Sequence, residues 1–178
     1  FEYEKTTFDK AEFNSSFAGM SLSGELVASD DEKYGKGYKG TLSFTMPGDL
    51  FTANATGGYF KLDDYKWGYF YAAIGSSYGI PIPPVTITDI SAGFYFNCVR
   101  KSETEAEPKK GIIGVVAGMG LYSSAGKDLM GGNFEMTVVY NKENKRLTTF
   151  MLTGHLGAVS GIIDSKATIV YQEDDMDK

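Results

Sequence analysis

Two residue types that occur once each could act as a nucleophile and its base, although a carboxylate could also serve as the base. They are the single cysteine, Cys98, and the single histidine, His155. A cysteine nucleophile needs a basic neighbour that favours the thiolate, and nothing in the sequence places His155 beside Cys98. We therefore predict that Cys98 is a small buried side chain, that His155 is structural or superficial, and that no residue is catalytic.

Carboxylates could support a second kind of chemistry, the hydrolysis of a glycosidic bond by two acids that flank a cleft. Asp63 and Asp64 lie close to Trp67 in the sequence, and Asp89 or Asp164 could pair across strands. Adjacent acids within a turn more often cap the turn or face solvent. A glycan-active enzyme is therefore the third of the functional hypotheses.

A loop of three acids is the one candidate for a metal site. Asp30, Asp31 and Glu32 offer hard oxygen ligands for calcium, but they lack the acid spacing and the fixed glycine of an EF-hand. The glycine-rich residues 111–120 contain no phosphate-binding lysine and fit close packing in a strand better than a nucleotide loop. Apart from this weak calcium candidate, we predict no metal and no cofactor.

Aromatic residues form the most informative group, because rings presented on a sheet can stack on sugars or line an apolar groove. Trp67, Tyr69 and Tyr71 alternate along one strand and so share one of its faces. Tyr78 follows in a proline-rich segment that we expect to fold back over the end of that strand. These four residues are the predicted ligand-binding site, although such stripes are more often buried in a core.

Alternation with a period of two residues positions these side chains and dominates the chain. In residues 38–46, Tyr38, Leu42 and Phe44 point to one side while Lys39 and Thr41 point to the other. We expect the apolar side of this strand to cover a core. Similar runs, together with an opening strand at residues 1–8, predict an all-β fold of about ten mostly antiparallel strands, either a sandwich or a partly open barrel.

Turn residues divide the chain into hairpins and give its organisation. Residues 76–84 contain three prolines, which donate no backbone hydrogen bonds, so we expect an extended surface loop there. We predict a single β domain over residues 1–171, excised from a larger protein, and an acidic tail over residues 172–178.

Composition and charge exclude some partners. The net charge of −6 and the absence of a basic stripe argue against nucleic acid. The sequence has no apolar run long enough for a transmembrane helix, and its first residue is not methionine. We expect a mature or excised fragment that is secreted or belongs to the cell envelope or surface.

Three segments resemble an uncharacterised β-rich module of very large bacterial surface or secreted proteins. They are residues 34–42 (YGKGYKGTL) leading to Pro47 and Gly48, residues 67–71 (WGYFY) leading to residues 79–82 (GIPI), and residues 93–97 (GFYFN). The resemblance implies an exported context with several modules, and it carries no catalytic residues.

These observations favour a non-catalytic binding or structural module of a larger exported bacterial protein. Its expected partners are neighbouring modules of the same polypeptide and a glycan or lipid-like ligand. An outer-membrane β-barrel is the main alternative, because strands with one apolar and one polar face suit both.

Overall fold

The computed structural model describes residues 9–126, 129–158 and 163–173. One short 3-10 turn, Pro47–Asp49, lies between the third and fourth strands. The strands, in chain order, are β1 (Lys10–Phe17), β2 (Met20–Asp31), β3 (Gly35–Thr45), β4 (Thr52–Leu62), β5 (Tyr65–Ile82), β6 (Val85–Arg100), β7 (Ala106–Ser123), β8 (Met130–Asn141), β9 (Arg146–Ala158) and β10 (Ile163–Gln172).

The strands form one antiparallel sheet in which each strand pairs with its neighbours in the sequence, from β1 to β10. The prediction of an all-β, antiparallel fold of about ten strands is confirmed. The chain forms one sheet rather than the two of a sandwich, and this sheet is not closed into a barrel. In the described part of the chain, no helix has the length and hydropathy needed to cross a membrane.

One predicted boundary differs from the structure, one predicted strand lies outside the described residues, and one predicted loop is wrong. The opening strand predicted at residues 1–8 lies outside the described residues, and β1 begins at Lys10; β10 includes residue 172 of the predicted tail. The predicted surface loop at residues 76–84 is instead mostly strand, since β5 continues to Ile82 and pairs with β6. The last residue of β5 that pairs with β4 is Gly75. Beyond it β5 has one neighbour, so the missing donor at Pro81 is tolerated.

The sheet has two chemically different faces, which the cross-strand pairing defines. The central row of the apolar face contains ten uncharged residues, one from each strand: Phe13, Gly24, Leu42, Ala55, Ala72, Ala92, Ala117, Met136, Leu152 and Ile169. The next row on the opposite, polar face contains Asn14, Ser23, Ser43, Asn54, Ala73, Ser91, Gly118, Glu135, Thr153 and Thr168. Alternation therefore separates apolar from polar side chains across the whole width of the sheet.

The buried core lies on the polar face, so the expectation that the apolar side of residues 38–46 covers a core is wrong. Tyr38 is 50% exposed and Leu42 is 45% exposed. The buried residues Trp67, Tyr95 and Val116 instead lie on the polar face. The reason is that the described chain has no second layer over the apolar face, whereas the tip of the β6–β7 hairpin packs on the polar one.

Candidate functional site

The predicted aromatic stripe lies in the middle of the sheet, on β5. Trp67, Tyr69 and Tyr71 share the polar face, as their spacing predicts. They do not form an open platform, because Trp67 is only 1% exposed. Ring contacts explain this burial: Phe60 stacks on Trp67 with ring centroids 4.4 Å apart, and Tyr69 stacks on Tyr95 at 6.4 Å.

The indole also has a fixed polar contact. Trp67 Nε1 donates a hydrogen bond of 2.8 Å to the carbonyl of Tyr34, in the β2–β3 turn. A buried indole that keeps its hydrogen bond is stable in a core. Trp67 is therefore held from both sides, by rings on its own face and by a neighbouring turn.

The tip of the β6–β7 hairpin, residues 101–105, covers the stripe. A break in register between Phe96 and Cys98 precedes it, with Asn97 at a φ of 49°. The Asn97 side chain accepts from the Gly111 N–H at 3.0 Å and donates to the Lys66 carbonyl at 2.7 Å. Bulges of this kind redirect a strand, and this one directs the tip onto the polar face.

Polar contacts hold the tip on the sheet at several points. The Tyr69 hydroxyl donates to the Thr104 carbonyl at 3.0 Å. Glu107 forms ion pairs with Lys33 at 2.9 Å and Lys101 at 3.0 Å, and the two ammonium groups hold the pKa of the Glu107 carboxyl below its usual range. These contacts join the β6–β7 hairpin to β5 and to the β2–β3 turn.

On the other side of the tip, Arg100 binds Glu135 of β8. Its two terminal nitrogens donate to the two carboxylate oxygens at 3.0 and 3.2 Å. The guanidinium also lies over the Tyr71 ring, 5.7 Å from the ring centroid. Bidentate geometry of this kind is stronger than an ordinary surface ion pair.

Tyr78, the fourth predicted site residue, does not lie beside the other three. It lies further along β5, beyond the register shift that follows Gly75, and is 70% exposed. Because β5 continues as a strand rather than folding back, the wall of four rings expected from the sequence does not form.

The candidate nucleophile, Cys98, and the candidate base, His155, lie on different strands. Cys98 is fully buried, its thiol contacts the Gly68 carbonyl at 3.1 Å, and burial raises the pKa of this thiol to about 11. His155 lies on β9, three strands further along the sheet, and pairs with Asp164 of β10. No thiolate–imidazole pair can form from this arrangement.

The candidate acids have local structural contacts. Asp31 accepts hydrogen bonds from the backbone N–H groups of Lys33 and Tyr34 at 2.8 and 3.1 Å, which caps the β2–β3 turn. Asp30 pairs with Lys36 at 2.9 Å. Within the described ranges, no three His, Cys, Asp or Glu side chains are grouped closely enough to hold a metal ion.

Asp64, one of the two acids near Trp67, forms an ion pair with Lys110 at 2.7 Å. The hydrogen bond and charge of Lys110 lower the pKa of the Asp64 carboxyl. Its neighbour Asp63 adopts a φ of 50° in the β4–β5 turn. Both acids therefore belong to a turn at the end of the sheet, as acids adjacent in sequence often do.

The apolar face is a surface feature that the spacing of the candidate residues did not predict. One further uncharged row lies on each side of the central row. One of the two contains Phe70 and Phe94, and the other contains Ile74 and Ile90. Phe70, Phe94 and Ile90 are each about half exposed. The signal was present in the sequence as alternation, but alternation gives no information on which face meets solvent.

One border of the apolar face is marked by a change in side-chain type. Tyr38 and Tyr59 face each other across β3 and β4, followed by a row that contains Lys36, Lys61 and Lys66. The Lys66 ammonium lies 5.9 Å from the centroid of the Tyr59 ring. The apolar face thus ends in tyrosines and then in cations.

Comparison with models of protein families, with curated proteins and with solved structures found no match.

Proposed function

We propose that this protein is a non-catalytic β-sheet protein of a bacterial outer membrane, whose apolar face lies against lipid acyl chains. One observation carries the proposal: exposed apolar side chains occupy one face of all ten strands, while the polar side chains and the buried core lie on the other. Ten strands about 4.8 Å apart, with an apolar band about 20 Å high, present roughly 1,000 Å². Soluble monomers rarely expose a continuous apolar patch larger than about 300–600 Å².

The height of the band fits a hydrocarbon layer. β3 has 11 residues, and its apolar face runs from Tyr38 through Leu42 to Phe44. A membrane-spanning strand needs about 9–11 tilted residues. Tyrosines at the border, followed by lysines, match the preference of these residues for the region of lipid headgroups. The order of side chains along β3 therefore supports an orientation in which the strands cross the lipid bilayer.

Lipid contact also sets a requirement for the sheet edges, because unpaired backbone groups are costly in hydrocarbon. In the described residues, β1 and β10 are the two edges. In a meander of ten strands the first and last run in opposite directions. Each edge can therefore form an antiparallel ladder with the other, or with an edge of a second copy.

The other functional hypotheses have less support. Trp67 is shielded by Phe60 and the hairpin tip, so it is not available to stack on an external glycan. A glycan-active enzyme would need two acids across a cleft, yet Asp64 and Asp164 each have a cation or histidine as partner. A structural role in the cell envelope, in contact with lipid, remains the function with the strongest physical argument.

Two substitutions one residue apart on β3 test this proposal. Leu42 lies in the central row of the apolar face, and Thr41 points to the polar face next to Glu25. In lipid vesicles, we expect Leu42→Arg to lower the free energy of unfolding by about 2–4 kcal/mol, because a charge in mid-bilayer is poorly solvated. Thr41→Arg, the matched control, should change it by no more than about 0.5 kcal/mol.

Urea titration of both variants, followed by Trp67 fluorescence, measures these differences. An opposite ranking, or a Leu42→Arg variant that is as stable as the wild type, would show that this face meets water.

A further inference from the structure

A shallow groove of about 520 Å³ crosses the apolar face beside its tyrosine border. Its floor has no side chains, because Gly40 and Gly57 face each other across β3 and β4, and Gly68 lies on the next strand, β5. Aromatic rings form most of its walls: Tyr38, Tyr59, Phe70, Phe94 and Phe96. Binding sites for small molecules typically have volumes of about 300–1,000 Å³. The groove is therefore large enough to receive part of an acyl chain.

The groove exists because its floor positions are glycine. A Cβ at Gly68 would lie 3.0 Å from the Phe96 ring and 3.4 Å from the Tyr59 ring. A Cβ at Gly57 would lie 3.6 Å from the Phe70 ring. Tyr59 and Phe70 are themselves about half exposed, so the space between the rings is open to an occupant.

Three lysines lie directly beyond the groove, two residues along the strands from its border. Lys36 faces Lys61 across β3 and β4, and Lys61 faces Lys66 across β4 and β5. Like charges directly opposite each other in an antiparallel sheet are destabilising. An anion between these ammonium groups would remove the repulsion.

The acids near this lysine row leave two of its members without a carboxylate partner. Lys36 pairs with Asp30 at 2.9 Å, whereas the other two lysines form no ion pair in the described part of the chain. In the adjacent β4–β5 turn, Asp64 is already paired with Lys110. The remaining acids of the two adjacent turns form no ion pair with the row in the described structure: Asp31, Glu32 and Asp63. Two ammonium groups on neighbouring strands are therefore available to an external anion.

We propose that the groove and the lysine row together bind an anionic phospholipid. Its phosphate pairs with Lys61 and Lys66, and the first part of its acyl chains lies between the rings above Gly57. Two residues along a strand span about 7 Å, so headgroup and chain of one lipid can reach both parts. Clusters of lysine at a membrane surface attract anionic headgroups. This inference rests on the proposed contact between the apolar face and lipid, and adds a preference for one class of lipid.

Energy transfer from Trp67, the only tryptophan, tests this preference in lipid bicelles. Its register row lies between those of the tyrosines and the lysines. The acceptor is a dansyl group on an acyl chain of either phosphatidylglycerol or phosphatidylcholine, at the same low mole fraction. We expect phosphatidylglycerol to associate at least about fivefold more strongly, since each lysine near an anionic headgroup contributes about that factor. Water-soluble glycerol phosphate, at constant ionic strength, should not reduce the transfer.

The double variant Lys61→Gln/Lys66→Gln should bring the two association constants to the same value. The matched control, Lys39→Gln/Lys166→Gln, removes the same charge from the polar face and should keep the preference. All four lysines are exposed, so both variants should fold.

A second pair of variants tests the groove itself. Gly57→Leu fills the floor and should weaken association of phosphatidylglycerol. Ala55→Leu enlarges a side chain on the same strand and face but outside the groove lining, and should weaken it less.

Equal association of the two lipids with the wild type would overturn this proposal. So would a preference that survives Lys61→Gln/Lys66→Gln, one that is lost equally in the polar-face control, or displacement by glycerol phosphate. In each of these cases, transfer to both lipids would still support contact between the apolar face and lipid. The absence of transfer to either lipid would contradict that contact, and this proposal with it.

Discussion

Cys98 and Trp67 belong to the same buried cluster, and neither side chain is accessible to solvent. The β6–β7 hairpin excludes solvent from them, so a thiolate at Cys98 would lose most of its hydration. Burial accordingly raises the thiol pKa to about 11. A nucleophilic role needs the opposite environment, one that stabilises the anion.

Alkylation by iodoacetamide at pH 8 tests this environment. The raised pKa should lower the thiolate fraction about a hundredfold relative to an unfolded chain, so the folded protein should react at least that much more slowly. The rate should continue to increase with pH up to the raised pKa. Because Cys98 is the only cysteine, all labelling reports on it, and equal rates with and without urea would contradict its burial.

Residue spacing was sufficient to predict some of these contacts. It predicted that Trp67, Tyr69 and Tyr71 share a face, and that the glycines of β7 fit close packing in a strand. A Cβ at Gly118 would lie only 2.5 Å from the Ser91 hydroxyl, which agrees with close packing there, whereas a Cβ at Gly114 would lie at an ordinary contact distance of 3.6 Å from Tyr95. The cover over Trp67 could not be predicted, because the contact between Tyr69 and Thr104 joins residues 35 positions apart.

At the scale of elements, the β6–β7 hairpin is the part that converts a flat sheet into one with a core and a cavity. Its tip is held mainly by charge, through Glu107 on one side and Arg100 on the other. The sequence shows a charged segment at residues 101–110. It did not indicate that the bulge at Asn97 would direct the tip onto the sheet, since bulges have no strong local signal.

The lowered pKa of Glu107 predicts that acid loosens the tip. A carboxyl whose pKa is lower in the folded state stabilises that state at neutral pH, and this contribution is lost as pH falls through the lowered value. Below about pH 4, in the range where an ordinary glutamate is protonated, acrylamide should therefore quench Trp67 fluorescence more strongly. Glu107→Gln should raise quenching at neutral pH and reduce the change on acidification.

Glu12→Gln is the matched control for that experiment, since Glu12 also pairs with a lysine but lies on β1, far along the sheet. It should keep the wild-type response. A response that survives in Glu107→Gln and disappears in Glu12→Gln would assign the acid effect to the edge of the sheet instead.

For the whole molecule, the number and order of strands could be predicted because alternation and turn residues are local signals. The role of each face could not, because the same alternation suits a sheet that packs on a core and a sheet that contacts lipid. Leu42 and Thr41 illustrate this: their opposite orientation follows from the sequence, but the exposure of Leu42 follows only from the absence of a second layer in the described chain.

Paramagnetic broadening of methionine methyl signals tests the central claim most directly. The chain is reconstituted in lipid bicelles, with a nitroxide either on the lipid acyl chains or on a water-soluble carrier. We predict that the acyl-chain nitroxide broadens Met119 and Met136, on the apolar face, more than Met151, on the polar face, and that the water-soluble nitroxide reverses this order. Methyl groups of Met119 and Met136 that are broadened chiefly by the water-soluble nitroxide would contradict contact between the apolar face and lipid.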